Sequence, residues 1–185
     1  MTRYLSRVAL PCLLSACAAL SAPAQAALPS GARAPDFQLP ATLGGEVFEF
    51  SLSEALRKGP VVLYFYPAAF TKGCTIEAHD FAEATEDYRR HGATVLGVSA
   101  DQLEILKEFS VSACRSKFAV AADPEARVIS AYDARMAYSP DKADRISYVI
   151  TPDGRIYDEY SSRNPEGHVQ HTLDAVKRWA AAQGR

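Results

Sequence analysis

The sequence YFYPAAFTKGCTIEAHDFAEATEDY, residues 64–88, decides the fold because it joins a buried strand to an amphipathic helix. The apolar run Val61–Tyr66 predicts a strand, which Pro67 ends. After a short turn, apolar and small side chains recur at three- and four-residue steps, as on the buried face of a helix: Cys74, Ala78, Phe81, Thr85 and Tyr88. Gly92 stands where a left-handed C-cap would end this helix. Cys74 is therefore predicted in the first helical turn, directly behind a strand.

The predicted position of Cys74 favours thiolate chemistry. The backbone N–H groups of a first helical turn have no partners within the helix, and they carry the positive end of the helix dipole. Both features stabilise a thiolate relative to a thiol. Nucleophilicity falls as a thiolate becomes less basic, so this stabilisation alone adds little rate. A fast reaction at Cys74 therefore needs donors aimed at the group under attack, and Thr71 offers a hydroxyl three residues earlier.

Pro67, Thr71 and Cys74 form the pattern Pro-x-x-x-Thr-x-x-Cys, which resembles the peroxidatic signature of the peroxiredoxins. The flanking Tyr-Phe-Tyr-Pro and Gly-Cys-Thr-Ile-Glu-Ala resemble the bacterioferritin comigratory protein (Q-type) branch of that family. The similarity continues in four further segments: Ala34–Pro40, Val95–Ser99, Arg145–Ile150 and Pro152–Gly154. The resemblance implies a thiol-dependent peroxidase, an antioxidant enzyme that reduces hydrogen peroxide or organic hydroperoxides without a cofactor or a metal.

The same resemblance implies roles for individual residues. Cys74 would attack the peroxide O–O bond and become a sulfenic acid, with Thr71 as a donor and Pro67 shielding one side of the turn. Arg145 opens the strand where peroxiredoxins of this branch place their active-site arginine. A permanent cation there would stabilise the thiolate and hydrogen-bond a peroxide oxygen. The plain alternatives are a solvent-exposed arginine at the end of a strand and a threonine that only caps the helix.

Other polar residues are predicted to lie outside the site. Glu77 is interpreted as an acid that stabilises the first turn of the helix. His79 follows Cys74 by five residues and should not share the face of the thiol. The three remaining histidines, His91, His168 and His171, are expected at the solvent surface.

Cys114 is the other cysteine outside the N-terminal segment. The resemblance implies that it resolves the sulfenic acid on Cys74 by forming an intramolecular disulfide. Geometry makes this demanding, because the far end of the helix predicted over residues 102–110 lies roughly 13 Å from its start. A disulfide needs Cα atoms within about 7 Å, so the Cys74 turn and the segment Ser110–Lys117 would have to unwind. Two alternatives stay open: a structural disulfide, and a buried bystander in a one-cysteine enzyme that an external thiol reduces.

Two other function classes fit less well. A thioredoxin-fold thiol–disulfide oxidoreductase needs a second cysteine three residues after Cys74, where Glu77 stands. A redox or metal-binding protein that delivers copper needs a thiol one residue further on, where Ala78 stands, and a lone thiol is a poor soft-metal site. The absence of Cys-x-x-Cys also argues against zinc. We therefore favour the peroxidase, with a thioredoxin-like or other dithiol reductant as its partner.

Residues 1–26 are predicted to be an export signal peptide. Arg3 and Arg7 form a basic start, Val8–Leu20 is apolar, and Ala24–Ala26 fits a small-x-small cleavage site. The apolar run is too short to span a bilayer, so no membrane span is predicted. Leu14–Cys17 also resembles a lipoprotein processing box, which would make Cys17 a lipidated N-terminus. On either reading the mature protein is expected outside the cytoplasm, in a bacterial periplasm.

Residues 27–185 have the length of one domain. Strand-like and helical segments alternate and close with a hairpin and a helix, which predicts an α/β, thioredoxin-like fold with a mixed central sheet flanked by helices. An N-terminal β-hairpin extension is expected before the first buried strand. The chain has 20 basic and 22 acidic residues without a basic run, which argues against a nucleic-acid partner. We expect a monomer or a weak dimer.

Overall fold

The computed structural model describes residues 27–184. The predicted signal peptide, with Cys12 and Cys17, lies outside the described residues. In chain order the elements are β1 (Gln38–Leu43), β2 (Glu46–Ser51), α1 (Leu52–Leu56), β3 (Val61–Phe65), α2 (Lys72–Arg90), β4 (Thr94–Ser99), α3 (Leu103–Ser112), β5 (Ala119–Ala122), α4 (Arg127–Ala131), β6 (Arg135–Met136), β7 (Ser139–Ala143), β8 (Ile146–Ile150), β9 (Ile156–Ser161) and α5 (His168–Ala182).

Seven strands form one mixed sheet in the order β2-β1-β5-β4-β3-β8-β9. Strands β3, β4 and β5 are parallel to one another, as expected for strands joined through the crossover helices α2 and α3. Strand β8 returns antiparallel beside β3, and β9 pairs with β8. Strand β1 joins the sheet by pairing antiparallel with β5, so the predicted N-terminal hairpin extends the central sheet.

Strand β3 is buried along its whole length because helices cover both faces of the sheet. Its side chains alternate between two hydrophobic clusters, as the two-residue period of a strand requires. Val61, Leu63 and Phe65 enter the cluster that includes residues of α1 and α4. Val62, Tyr64 and Tyr66 enter the cluster that includes residues of α2, α3 and α5. The predicted arrangement, a mixed sheet between helices, is therefore confirmed.

Asp123-Pro124 predicts a short helix from Pro124 to Tyr132, but α4 spans only Arg127–Ala131. The Asp123 carboxylate accepts hydrogen bonds from the backbone N–H groups of Arg127 and Ile129, at 3.0 and 2.8 Å, across the residues between. The small sheet of β6 and β7 was not predicted. These two strands are short and polar, so they lack the apolar alternation on which a prediction depends.

Helix α2 ends as its sequence predicts. Gly92 takes a positive φ of 71°, which a glycine adopts without steric cost. The N–H of Ala93 donates to the carbonyl of Tyr88, and that of Gly92 donates to the carbonyl of Arg89, both at 2.9 Å. This pair of bonds is a Schellman motif, which satisfies carbonyls left open at the end of the helix.

No helix within residues 27–184 is both long enough and apolar enough to cross a membrane.

Gly97 makes room for Tyr64 where β3 and β4 pair, and this contact gives a prediction. A Cβ atom on Gly97 would lie 2.7 Å from the Oη and Cζ atoms of Tyr64, which is fully enclosed. We expect Gly97→Ala to lower the free energy of unfolding by about 1–3 kcal/mol through overpacking. The cost should shrink in a Tyr64→Leu background, because the clashing atoms are then absent. Denaturant unfolding of the wild type, the two single variants and the double variant measures both effects. Equal costs of Gly97→Ala in the two backgrounds would contradict the explanation.

Candidate active site

Cys74 lies where β3 gives way to α2. Pro67 follows the strand, a four-residue turn comes next, and Cys74 is the third residue of the helix. The N–H of Thr75 makes the first α-helical bond, to the carbonyl of Thr71 at 2.9 Å. The Cys74 side chain is buried, with 1% of its surface exposed, and its thiol is free. The predicted placement at a helix start behind a strand is the one observed.

The turn before Cys74 is fixed by the end of the neighbouring strand. Asp101, just after β4, accepts hydrogen bonds through Oδ2 from the N–H of Ala69 at 2.7 Å and from the hydroxyl of Ser99 at 2.8 Å. Within the turn, Phe70 adopts a left-handed φ of 61°, which is unusual for a bulky side chain. The Asp101 carboxylate therefore ties the peptide before Phe70 to the sheet and limits how far the turn can move.

Arg145 reaches Cys74 through strand pairing. It immediately precedes β8, whose first residue Ile146 is paired with Phe65 at the end of β3. The start of β8 therefore lies at the sheet edge where α2 begins. The guanidinium Nη2 donates to Sγ of Cys74 at 3.4 Å, and only 7% of the Arg145 surface is exposed. Gly73 leaves space for this approach, because a Cβ there would lie 3.2 Å from Nη2.

Glu77 is a buried partner of Arg145, so the prediction that it only stabilises the first turn of α2 was wrong. Its side chain is fully enclosed, and its Oε2 accepts a hydrogen bond from Nη1 of Arg145. Burial raises the pKa of Glu77, and the charge and hydrogen bond of Arg145 act in the opposite direction and favour the carboxylate. The sequence did carry a signal for this placement. Glu77 follows Cys74 by three residues and thus lies on the buried stripe of the helix.

His168 is also buried, which corrects its expected place at the surface. It is the first residue of α5, and its ring lies between Ser147 of β8 and the carbonyl of Ser162. Burial lowers the pKa of His168 to about 4, and the nearby Arg145 charge acts in the same direction. The burial could have been anticipated, because His168 shares a helical stripe with the buried residues Thr172, Ala175 and Trp179.

Cys74, Arg145 and Glu77 thus form a row of contacts in which one guanidinium bonds a thiol sulfur and a carboxylate. The Arg145 guanidinium lies against the Cys74 sulfur, and its N–H groups can donate to an oxygen brought there. Within the described part of the chain, no three His, Cys, Asp or Glu side chains are grouped as metal ligands. The row therefore places a buried sulfur nucleophile beside a fixed cation.

Comparison with known proteins identifies the family. Residues 30–159 match the family model described as the AhpC/TSA family. The chain belongs to the AhpC/TSA family.

Named relatives place this family member in the Bcp/Q branch of the peroxiredoxins. It is 31% identical over 152 residues to peroxiredoxin Bcp of Bacillus subtilis, a match that covers 80% of this chain and 94% of the relative. It is 32% identical over 170 residues to the chloroplastic peroxiredoxin Q of Oryza sativa subsp. japonica, and this match covers 84% of this chain and 76% of the relative. The crystal structure of peroxidoxin BcpB from Mycobacterium tuberculosis superposes with a TM-score of 0.73 at 28% identity, covering 80% of this chain and 96% of that one.

These matches confirm the predicted family and the thioredoxin-like fold. The chain is a peroxiredoxin, an oxidoreductase that reduces a peroxide at the expense of a thiol reductant. The competing classes, a thioredoxin-fold thiol–disulfide oxidoreductase and a metal-binding protein, gain no comparable support.

The other predicted site residues of this peroxiredoxin lie on the same turn. Pro67 is half-buried directly after Tyr66, and Thr71 is the N-cap residue of α2. The Thr71 side chain makes no capping bond, and its hydroxyl donates to the carbonyl of Ala68 at 3.1 Å. Thr71 is exposed, and its hydroxyl has one proton, so it must turn away from the Ala68 carbonyl before it can donate to a bound molecule.

Cys114 lies two residues beyond the end of α3 and is a second free, fully buried thiol. It belongs to the same hydrophobic cluster as Cys74, together with Tyr64, Tyr66 and Phe109. Burial raises the pKa of Cys114 well above its ordinary value. Cys114 is therefore a weak nucleophile in this conformation.

Proposed function

We propose that Cys74 is the residue through which this peroxiredoxin reduces its substrate. The thiolate attacks the terminal oxygen of a hydroperoxide R–O–O–H, the O–O bond breaks, and the products are Cys74–S–OH and R–O⁻, which takes up a proton to become R–OH. The observation that carries the proposal is the 3.4 Å contact between Nη2 of Arg145 and a buried Sγ at the start of a helix. Hydrogen peroxide (R = H) and organic hydroperoxides both fit this step.

Arg145 and Thr71 are proposed to act mainly on the transition state. Thiolate formation alone gives little rate, because a less basic thiolate is also less nucleophilic. Negative charge moves during the attack from sulfur to the leaving oxygen, and oriented donors stabilise that charge by about 2–4 kcal/mol each. The Arg145 guanidinium is held on both sides, and the Thr71 hydroxyl stands three residues ahead of the thiol. Pro67 sets the direction of the turn that carries Thr71.

The proposed nucleophile predicts a clear contrast between the two thiols. Reduced Cys74→Ser should consume no peroxide above the buffer rate, because serine at this place is not ionised. Cys114→Ser, the same change at the other buried cysteine, should still consume one equivalent in a single turnover without reductant. The measurement is peroxide loss against enzyme concentration, with thermal unfolding as a check on folding. Substantial peroxide consumption by Cys74→Ser would end the proposal.

We further propose that Cys114 resolves the oxidised Cys74. The Cys114 thiol would attack the sulfenic sulfur, water would leave, and a Cys74–Cys114 disulfide would form for a thioredoxin-like or other dithiol to reduce. Cys114 is the other thiol of the described residues, and it shares a cluster with Cys74. Because Cys114 is buried beyond α3, the start of α2 and the residues around Cys114 must open first.

The resolving role predicts a crosslink within one chain. After one equivalent of peroxide, mass spectrometry of the monomer should find a peptide that joins Cys74 to Cys114, and the Cys114→Ser protein should lack it. Accumulation of sulfenic or sulfinic acid on Cys74 in the wild type, with Cys114 still free, would contradict this role. The enzyme would then be a one-cysteine peroxidase reduced by an external thiol. Size-exclusion chromatography of the same samples tests the separate expectation that the protein is a monomer or a weak dimer.

Export from the cytoplasm is proposed from residues 1–26, whose basic start, apolar run and Ala24–Ala26 site support a removable signal peptide. The mature domain would then begin at residue 27, in a bacterial periplasm. Expression of the full chain in a bacterium, followed by intact-mass analysis, should find an N-terminus near Ala27. An acylated Cys17 would instead identify a lipoprotein tethered to a membrane, and an uncut Met1 form in the cytoplasm would refute export.

A further inference from the structure

A group of enclosed polar side chains lies behind Arg145, on the side away from Cys74. Glu77, Ser147 and His168 are each fully buried and come from three elements, α2, β8 and α5. None of the proposed chemical steps uses Ser147 or His168. Buried polar groups are costly unless they have partners, so this arrangement calls for a physical account.

The hydrogen-bond partners of His168 determine which of its nitrogens carries the proton. Nε2 lies 2.9 Å from the carbonyl oxygen of Ser162, which can only accept, so Nε2 must be the donor. Burial keeps the pKa of this imidazole at about 4, so the ring is neutral near pH 7. Nδ1 is then a bare acceptor, and the Ser147 hydroxyl, 2.8 Å away, donates to it.

The same Nδ1 edge faces the second oxygen of Glu77. The distance from Nδ1 to Oε1 is 3.7 Å, and Oε1 has no hydrogen-bond partner among the described residues. On its other side the imidazole meets the ring of Tyr160 edge-on, with 4.8 Å between centroids. The ring therefore has little room to withdraw, and it occupies the space into which the Glu77 carboxylate would otherwise turn.

We propose that His168 is a positioning residue for peroxide reduction, whose ring confines the Glu77 carboxylate and so keeps the Arg145 guanidinium directed at Cys74. Nδ1 of His168 lies 3.7 Å from Oε1 of Glu77, Oε2 of Glu77 accepts from Nη1 of Arg145, and Nη2 of Arg145 donates to Sγ of Cys74. This inference rests on the proposed roles of Cys74 and Arg145. His168 acts by shape and by accepting from Ser147, because a neutral ring adds no charge to the site.

Two variants test the Nδ1 edge and the Nε2 edge of the imidazole separately. His168→Asn places an amide atom where Nδ1 was, and so keeps an acceptor beside Ser147 and a polar atom facing Glu77. His168→Gln places its amide where Nε2 was, and so keeps the bond to Ser162 and loses the edge that faces Glu77. The readout is the second-order rate constant for oxidation of Cys74 by hydrogen peroxide, because it does not depend on the resolving step.

We expect His168→Asn to stay within about threefold of the wild type and His168→Gln to fall at least about tenfold, as loss of orientation alone can cost that much. In a Glu77→Gln background the His168→Gln change should cost less than about threefold, because an uncharged amide no longer forms the ion pair that directs Arg145, so the orientation maintained by His168 is already lost. If Glu77→Gln does not fold, the same comparison is made in an Arg145→Met background. There, too, the additional loss of rate caused by His168→Gln should vanish.

Three outcomes would overturn the inference: full rates in both variants, a better rate for His168→Gln than for His168→Asn, or His168→Gln losses that simply add to those of Glu77→Gln or Arg145→Met. The second pattern would mean that His168 only anchors the segment at Ser162. Cys74→Ser is measured in the same series. A loss of reaction there together with unchanged His168 variants rejects the positioning role alone, whereas reaction in Cys74→Ser rejects the proposed nucleophile itself.

Discussion

The ion pair between Glu77 and Arg145 constrains more of this structure than any other single contact. Both side chains are removed from water, and the charges of a buried pair are tolerated only when each finds its partner. The two residues are 68 positions apart, so they meet only if β8 pairs with β3 in the observed register and α2 begins directly after the Pro67 turn. Loss of one partner of such a pair typically costs about 3–5 kcal/mol, which favours one arrangement of these elements over others.

The Arg145 charge that this pair places in the core also lies beside the Cys74 sulfur. A surface arginine would be hydrated and mobile, and its field at the thiol would be screened within roughly 8–10 Å. Arg145 is held on one side by Glu77 and is in contact with Cys74 on the other. The desolvation that makes the pair costly therefore also strengthens its interaction with a thiolate. The Arg145 guanidinium therefore serves both the buried pair with Glu77 and the chemistry proposed for Cys74.

Local periodicity was enough to predict the framework and the position of Cys74. Strand β3 shows its two-residue alternation, α2 shows its buried stripe, and the Pro67, Thr71 and Cys74 spacing places the thiol between them. The partners of Arg145 could not be predicted in this way. The helical stripes indicate that Glu77 and His168 are buried, but they do not show which residue, distant in the chain, each of them meets. The contacts of Glu77 and His168 near Arg145 therefore went unpredicted, although the face of each helix indicated burial.

The depth of Cys114 has a consequence for the lifetime of the enzyme under oxidative load. A sulfenic acid on Cys74 has two fates: capture by a thiol or reaction with a second peroxide to give a sulfinic acid, which is in general not reversed. Cys114 sits in the core beyond α3, so in the proposed resolving step its capture of the sulfenic acid must wait for a local opening of the fold. The frequency of that opening would set a peroxide concentration above which the second reaction is faster. Under this proposal, the packing around Cys114 determines how much oxidant the protein withstands before it is inactivated.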